Sequence, residues 1–381
     1  MNSFVTKIAS APLFLAMYAF ALLTRSRRAP RGVPEHIVII AGGKLGDIVC
    51  VTPILRALRT HFSKATVLMR DTDGMRTALL ADSGLVDGFL NEKGILAFSR
   101  RLRASKIDTV LMTGPSYDDL VPVLLARVRT IVVPRVVGAT THHQTRRYLA
   151  LLPFVSVFEH QAEGAYVPRE RLRVLEPLGV TTDDTKKALG YSEKARTTID
   201  AFLAEHGLTE RPYAIVAPTV ANKIKTWPPE RFARVVEHLV ARGLPVVVSG
   251  EKNDREEVSV MMRALAHSAH VVDTTGQFSL DELKAVIARA ALFVSVDTGP
   301  IYIAEAFDVP TVDIIGPMAE DEQPPRGERH VVVVAQREKA ATHIMSAHVY
   351  GAQERTEARR QVEAITVEMV CEAIDGLLAR V

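Results

Sequence analysis

The chain is poor in the features that would tie it to several common classes. It has two cysteines in 381 residues, Cys50 and Cys371. They match no metal-ligand or disulfide spacing, which excludes a disulfide scaffold and a thiolate zinc site and points to a reducing cytosolic compartment. It lacks internal repeats and low-complexity tracts, so solenoids and arrays are excluded. A basic excess is also missing from its body. The formal net charge is +3, but residues 1–32 contain Lys7, Arg25, Arg27, Arg28 and Arg31 and no acid, which leaves the remainder at −2. No nucleic-acid partner is expected from that balance. Charge is absent altogether from Ile8 to Thr24.

That uncharged run is the first positive signal. As a helix it would extend about 25 Å, slightly short of a ~30 Å hydrocarbon core. The cationic cluster RSRRAPR follows the run instead of preceding it, unlike a secretory signal. Positive charges stay on the cytoplasmic side, so residues 8–24 read as an attachment to the cytoplasmic face of the inner membrane. The readings left open are a span, a kinked helix lying in the interface because of Pro12, and a buried amino-terminal helix.

The body alternates strand-like and helix-like segments. HIVIIAGG, starting at His36, is a continuous apolar run ending in glycine, as in a parallel strand buried on both faces. Asp47 to Phe62 carries apolar residues at three- and four-residue spacings and predicts one helix, and Ala65–Met69 predicts a second strand. Further strands are predicted at 109–113, 130–134, 213–218, 245–250, 270–275, 292–297, 310–316 and 329–335, with helices between them. Val180–Gly190 is polar and acidic, a linker candidate. The expected class is α/β: two facing Rossmann-like domains at 33–190 and 191–345, a membrane segment with its basic flank at 1–32, and a helical tail at 346–381.

Four constellations could carry chemistry. Gly42-Gly43-Lys44-Leu45-Gly46-Asp47 joins a strand to a helix. Gly43 and Gly46 would admit a ligand close to the backbone, but Asp47 sets a negative charge where a dinucleotide pyrophosphate would sit. Asp47 at a helix start suits a general base, a helix cap, or both. The loop from Ala217 to Pro228 offers Thr219, Lys223, Lys225 and the single tryptophan, Trp227. A lysine there could offset charge on a leaving diphosphate, while Trp227 packs the loop. In the turn Asp297-Thr298-Gly299, Thr298 and Gly299 suit phosphate oxygens, and Asp297 suits sugar hydroxyls or a helix cap. Glu251, in Gly250-Glu251-Lys252-Asn253-Asp254, could accept from a ribose or base, with Asp254 as a helix cap. Asp71-Thr72-Asp73 and His142-His143 are set aside as metal sites, the first for its short match and the second because adjacent residues face apart.

Three blocks together resemble glycosyltransferase family 9, the family of the lipopolysaccharide heptosyltransferases. They are IVIIAGGKLGDIVCVTPILRALRTHF, PTVANKIKTWPPERFARVVEHLVARGLPVVVSG and VSVDTGPIYIAEAFDVPTVDIIGP. The resemblance implies a GT-B fold, with the acceptor on the amino-terminal domain and the nucleotide donor on the carboxy-terminal one. It implies Asp47 as base, Lys225 as a phosphate contact, and Asp297, Thr298 and Gly299 as the donor turn. Tyr302 joins that set at a position where the family usually has histidine. No metal or bound cofactor is implied; the co-substrate is a nucleoside-diphosphate sugar, an ADP-linked one being a candidate. The amino-terminal apolar segment, which is not general in the family, suggests an acceptor kept at the membrane, a glycolipid or lipid-linked glycan. A sugar-nucleotide epimerase and a catalytically silent nucleotide-binding protein remain as alternatives.

Overall fold

A computed structural model of the chain describes residues 14–24, 32–138, 141, 143–267, 269–337, 339, 341–343 and 352–380. The chain divides into two units, Met1–Gly43 with Val51–Thr185, and Lys44–Cys50 with Lys186–Val381. The division at Thr185 falls inside the polar stretch read as a linker.

The first unit is built on six parallel strands: β1 (His36–Ile40), β2 (Thr66–Arg70), β3 (Gly88–Leu90), β4 (Thr109–Met112), β5 (Thr130–Val137) and β6 (Ser156–Gln161), in the order β3-β2-β1-β4-β5-β6. The second repeats the plan with β7 (Ala214–Ala217), β8 (Val246–Val248), β9 (Val271–Asp273), β10 (Leu292–Val296), β11 (Thr311–Ile314) and β12 (His330–Val333), in the order β12-β11-β10-β7-β8-β9. Read from its other edge, the second order is identical to the first. Both are doubly wound, and each reverses direction between its first and fourth strands, where α/β sheets bind ligands.

The central strands are legible because parallel strands covered on both faces are apolar throughout; β4, β7 and β10 are buried at every position. Two edge strands escape that rule. β3 has three residues, and β6 alternates exposed and buried positions through SVFEHQ. The single helix expected over Asp47–Phe62 is two, Leu45–Val49 and Thr52–His61. Pro53 lies at the start of the second and has no N–H to continue the ladder, so the break falls just before it. The short first helix is thereby able to belong to the second unit while its neighbours belong to the first.

Of the readings open for the amino-terminal run, a membrane span finds no support. Among the described residues no helix is long and apolar enough to cross a membrane. The described part, residues 14–24, is a helix that buries Met17 and Ala21 in the core of the first unit. Tyr18 meets Phe154 edge-on at 5.4 Å, and Phe14 lies 6.3 Å from Tyr117. Residues 8–13 lie outside the described residues.

At the other end, the helices Ala352–Glu363 and Val367–Leu378 are part of the second unit's core. Val362, Ile365, Val370, Ile374 and Leu377 pack with Trp227 and Phe232. The Trp227 indole N–H donates to the Ile365 carbonyl at 3.0 Å, and Arg231 donates to the same carbonyl at 2.6 Å. The linker also holds a surprise for a polar stretch: Lys187 is fully buried, its ammonium 2.6 Å from Glu305.

Two buried groups, one in each unit, respond to pH in opposite directions. His160 on β6 is 3 % exposed and its Nδ1 has no hydrogen-bond partner. Burial, reinforced by Arg171 and Arg173, lowers its pKa to about 4. The unfolded chain therefore binds a proton below pH 6.5 that the folded chain refuses, so stability is lost as pH falls toward 4. Asp313 on β11, paired in register with Ser295, is 1 % exposed with both oxygens unpartnered. Burial first, and then the nearby Asp297 carboxylate, hold it protonated well above the ordinary range. Here the folded chain keeps a proton the unfolded chain releases, so stability is lost as pH rises above 3.8. His160→Gln is expected to lose about 2 kcal/mol less than the parent between pH 7 and pH 5 in chemical denaturation. Asp313→Asn is expected to raise the melting temperature at pH 8 by at least about 2 °C, with the gain shrinking toward pH 4.

Candidate functional site

In the second unit the reversal of strand order lies between β7 and β10, and the loops leaving their carboxyl ends carry the predicted residues. The loop after β7 is fixed at its far end by Trp227, which sits against Phe232 with ring centroids 4.9 Å apart at 88°. Its two lysines part. Lys223 turns outward to Glu257, while Lys225 turns inward to Asp297, with Nζ 2.5 Å from Oδ2. The Lys225 and Asp297 side chains are only 17 % and 12 % exposed, so this pair, unlike a surface ion pair, is shielded from solvent.

Asp297 does not cap the following helix. Thr298 is the N-cap of Gly299–Ala306, with no side-chain cap bond. The Asp297 carboxylate instead accepts from Lys225 at Oδ2 and from the Tyr302 hydroxyl at Oδ1, the latter at 2.9 Å. Tyr302 is 3 % exposed, and burial together with Asp297 pushes its hydroxyl pKa well up, so it stays a donor. Its hydroxyl is thus committed to the Asp297 carboxylate inside the unit.

The loop after β8 joins the loop after β7. The Thr219 hydroxyl donates to Asp254 Oδ2 at 2.8 Å, and that oxygen also accepts the Glu251 amide at 2.9 Å. Asp254 therefore ties the loop after β8 to the loop after β7 and leaves the Glu251 side chain exposed. Sequence reasoning gave Asp254 only a capping role.

The helix Leu45–Val49, which carries Asp47, rests on Gly299–Ala306. A Cβ placed on Gly46 would lie 2.7 Å from Tyr302 Cδ2 and 3.6 Å from Gly299 Cα; one on Gly299 would lie 2.9 Å from Leu45 Cδ2. At Gly46 and Gly299 the missing side chains make room for the neighbouring helix. Gly43, at φ +103°, makes the turn into the helix with a backbone that other residues rarely adopt. Asp47, at the third position of its helix, accepts the Lys44 amide at 2.9 Å and is half-buried. It caps its own helix, one residue from Gly46, which packs against the helix that begins at Gly299.

Outside this assembly the tempting acids have structural partners. Asp71 accepts from Thr77 Oγ1 at 2.6 Å and from the Gly74 amide at 3.0 Å, which lowers its pKa to about 2 against the opposing effect of burial. Arg76, paired with Asp73, donates twice to the Ala41 carbonyl and so pins the end of β1 in the first unit. No group of three or more potential metal ligands occurs among the described residues. His142 lies outside the described residues.

Comparison with known proteins identifies the family. The family model "Glycosyltransferase family 9 (heptosyltransferase)" matches residues 95–349. Lipopolysaccharide heptosyltransferase 3 of Escherichia coli K12 is 27 % identical over 291 residues, covering 71 % of this chain and 79 % of that one. The fold matches the solved family 9 glycosyltransferase of Veillonella parvula, with TM-score 0.74, 22 % identity and coverage of 93 % and 100 %. It also matches the E. coli ADP-heptose lps heptosyltransferase II, with TM-score 0.72, 19 % identity and coverage of 91 % and 99 %. Neither an epimerase nor a silent binding protein is favoured by these relatives. The chain is a glycosyltransferase and belongs to family 9.

Proposed function

We propose that this enzyme moves a sugar, heptose or a related one, from a nucleoside-diphosphate donor to a glycolipid or lipid-linked glycan of the growing lipopolysaccharide, with inversion at the anomeric carbon. ADP is a candidate carrier, because similar proteins are named for ADP-heptose and lipopolysaccharide. The observation that carries the reading is the shielded Lys225–Asp297 pair at the strand-order reversal, with the Asp47 helix packed on the helix that begins there.

In this reading Asp47 removes the acceptor hydroxyl proton, and the freed oxygen attacks the anomeric carbon. The bond to the diphosphate breaks on the opposite face. Lys225 and the amides at Thr298 and Gly299 receive the charge that develops on the leaving oxygen. Thr219 and Glu251 border the same place, as the ribose or base side of the donor would require. Lys225 supplies the cation, so no metal is invoked.

Attachment at the cytoplasmic face of the inner membrane completes the proposal. It is supported by Leu15, Leu22 and Leu23, which are 64 %, 58 % and 87 % exposed on the amino-terminal helix, and by the arginines that follow it in sequence. Such a helix can lie at a lipid surface with its apolar side inward while the cations meet anionic headgroups. An acceptor embedded in the same surface would be presented to the enzyme.

Asp47→Asn is expected to lower the transfer rate by about 10²-fold or more while nucleoside-diphosphate binding, read by thermal shift, is kept. Transfer at the parent rate in a folded variant would refute the base. Lys225→Ala is expected to weaken diphosphate binding by about tenfold, or ~1.4 kcal/mol, in calorimetry. Unchanged affinity for all of ADP, GDP, UDP and CDP would refute the phosphate contact.

A further inference from the structure

We infer that Tyr302 is a positioning residue, seating the donor turn through its hydroxyl and the Asp47 helix through its ring. The inference rests on the donor reading above and assigns the residue a role other than touching the donor.

Three observations lead to it. Gly299, Tyr302 and Glu305 are spaced three apart and so lie along one face of their helix. Along that face, Gly299 meets Leu45, Tyr302 meets Gly46 and Asp297, and Glu305 holds the buried Lys187 at 2.6 Å. The helix is thus fixed at its far end by an ion pair in which Lys187 is fully buried, and Tyr302 has little room to move.

Next, Tyr302 shares Asp297 with Lys225. One carboxylate oxygen accepts the hydroxyl and the other the ammonium, which sets the plane of the carboxylate. A hydroxyl donor also draws charge from Asp297. Without it the carboxylate would be held by side chains at Oδ2 only, and its charge would fall on Lys225, in direct competition with a diphosphate for that ammonium. The tyrosine therefore leaves Lys225 held, yet available to phosphate.

Finally, the ring sets who may stand at position 46. With a Cβ on Gly46 only 2.7 and 2.9 Å from two ring carbons, either the ring or the Asp47 helix would have to shift. Glycine at 46 and tyrosine at 302 are one arrangement.

The test uses the purified full chain and whichever of ADP, GDP, UDP or CDP raises the parent melting temperature. Tyr302→Phe should weaken that diphosphate about tenfold in calorimetry with the melting temperature little changed. Tyr302→His, which retains an N–H donor, should stay within about threefold of the parent. In an Asp297→Asn background, Tyr302→Phe should change affinity less than about twofold, because its effect runs through that carboxylate. Gly46→Ala should lower the melting temperature, and should cost nothing further in a Tyr302→Ala background. Parent-like affinity in Tyr302→Phe, affinity in Tyr302→His as weak as in Tyr302→Phe, or additive effects in either background would overturn the inference alone. A parent chain that binds none of the four diphosphates would overturn the donor reading, and this inference with it.

Discussion

The candidate site of the second unit is organised around a shielded ion pair, Lys225 with Asp297. It joins the loops that leave β7 and β10, the two strands between which the sheet reverses its order. Removing two charges from water is costly, and an apolar pair of the same size would often hold two loops together as well. What an apolar pair cannot do is keep a cation at the ends of parallel strands. The supports around it fit that purpose. Trp227 anchors one loop to the carboxy-terminal helices, Asp254 ties it to the next, and Tyr302 takes the other oxygen of Asp297. Each restricts where the ammonium can be.

The glycines illustrate how far sequence alone could go. A glycine between strand and helix reads as room for a ligand, because that is the commonest reason for a backbone to need room. Gly46 and Gly299 do provide room, but for each other's helices. Residue type announces a close approach; it does not announce what approaches. The partner of Gly46 is Tyr302, more than 250 residues away in the chain, and no local pattern connects them. The same holds for Lys187 and Glu305, since a lysine in a polar stretch resembles every solvated lysine.

Strands and loops were legible in proportion to how local their causes are. β1, β7 and β10 announce themselves because burial on both faces demands mostly apolar residues. β6 does not, because an edge strand with Glu159 and His160 need satisfy only part of that demand. Asp47, Lys225 and Asp297 could be proposed because charged residues at the ends of apolar strands stand out. Asp313 could not, since an acid inside PTVDIIG carries no sign of whether it faces water. Its two unpartnered oxygens, next to the register partner Ser295, become evident only when the sheet is assembled.

The amino-terminal run is a clear local signal with two physical causes. Seventeen residues without charge fit a lipid-facing helix, and they equally fit a helix that needs apolar residues on more than one side. Met17 and Ala21, four apart, face the core of the first unit, where lipid could not reach them. Leu15 and Leu22, seven apart, face outward, and Leu23 with them. A helix fully served by the core would place polar residues at those positions, as the helix Glu193–Glu205 places Lys194, Thr197 and Thr198. The continued apolar character on the outer side therefore needs a second partner. In the proposal above that partner is the lipid surface. A protein anchored by docking one face of a helix on its own core keeps that helix in register with the unit to which the acceptor was assigned.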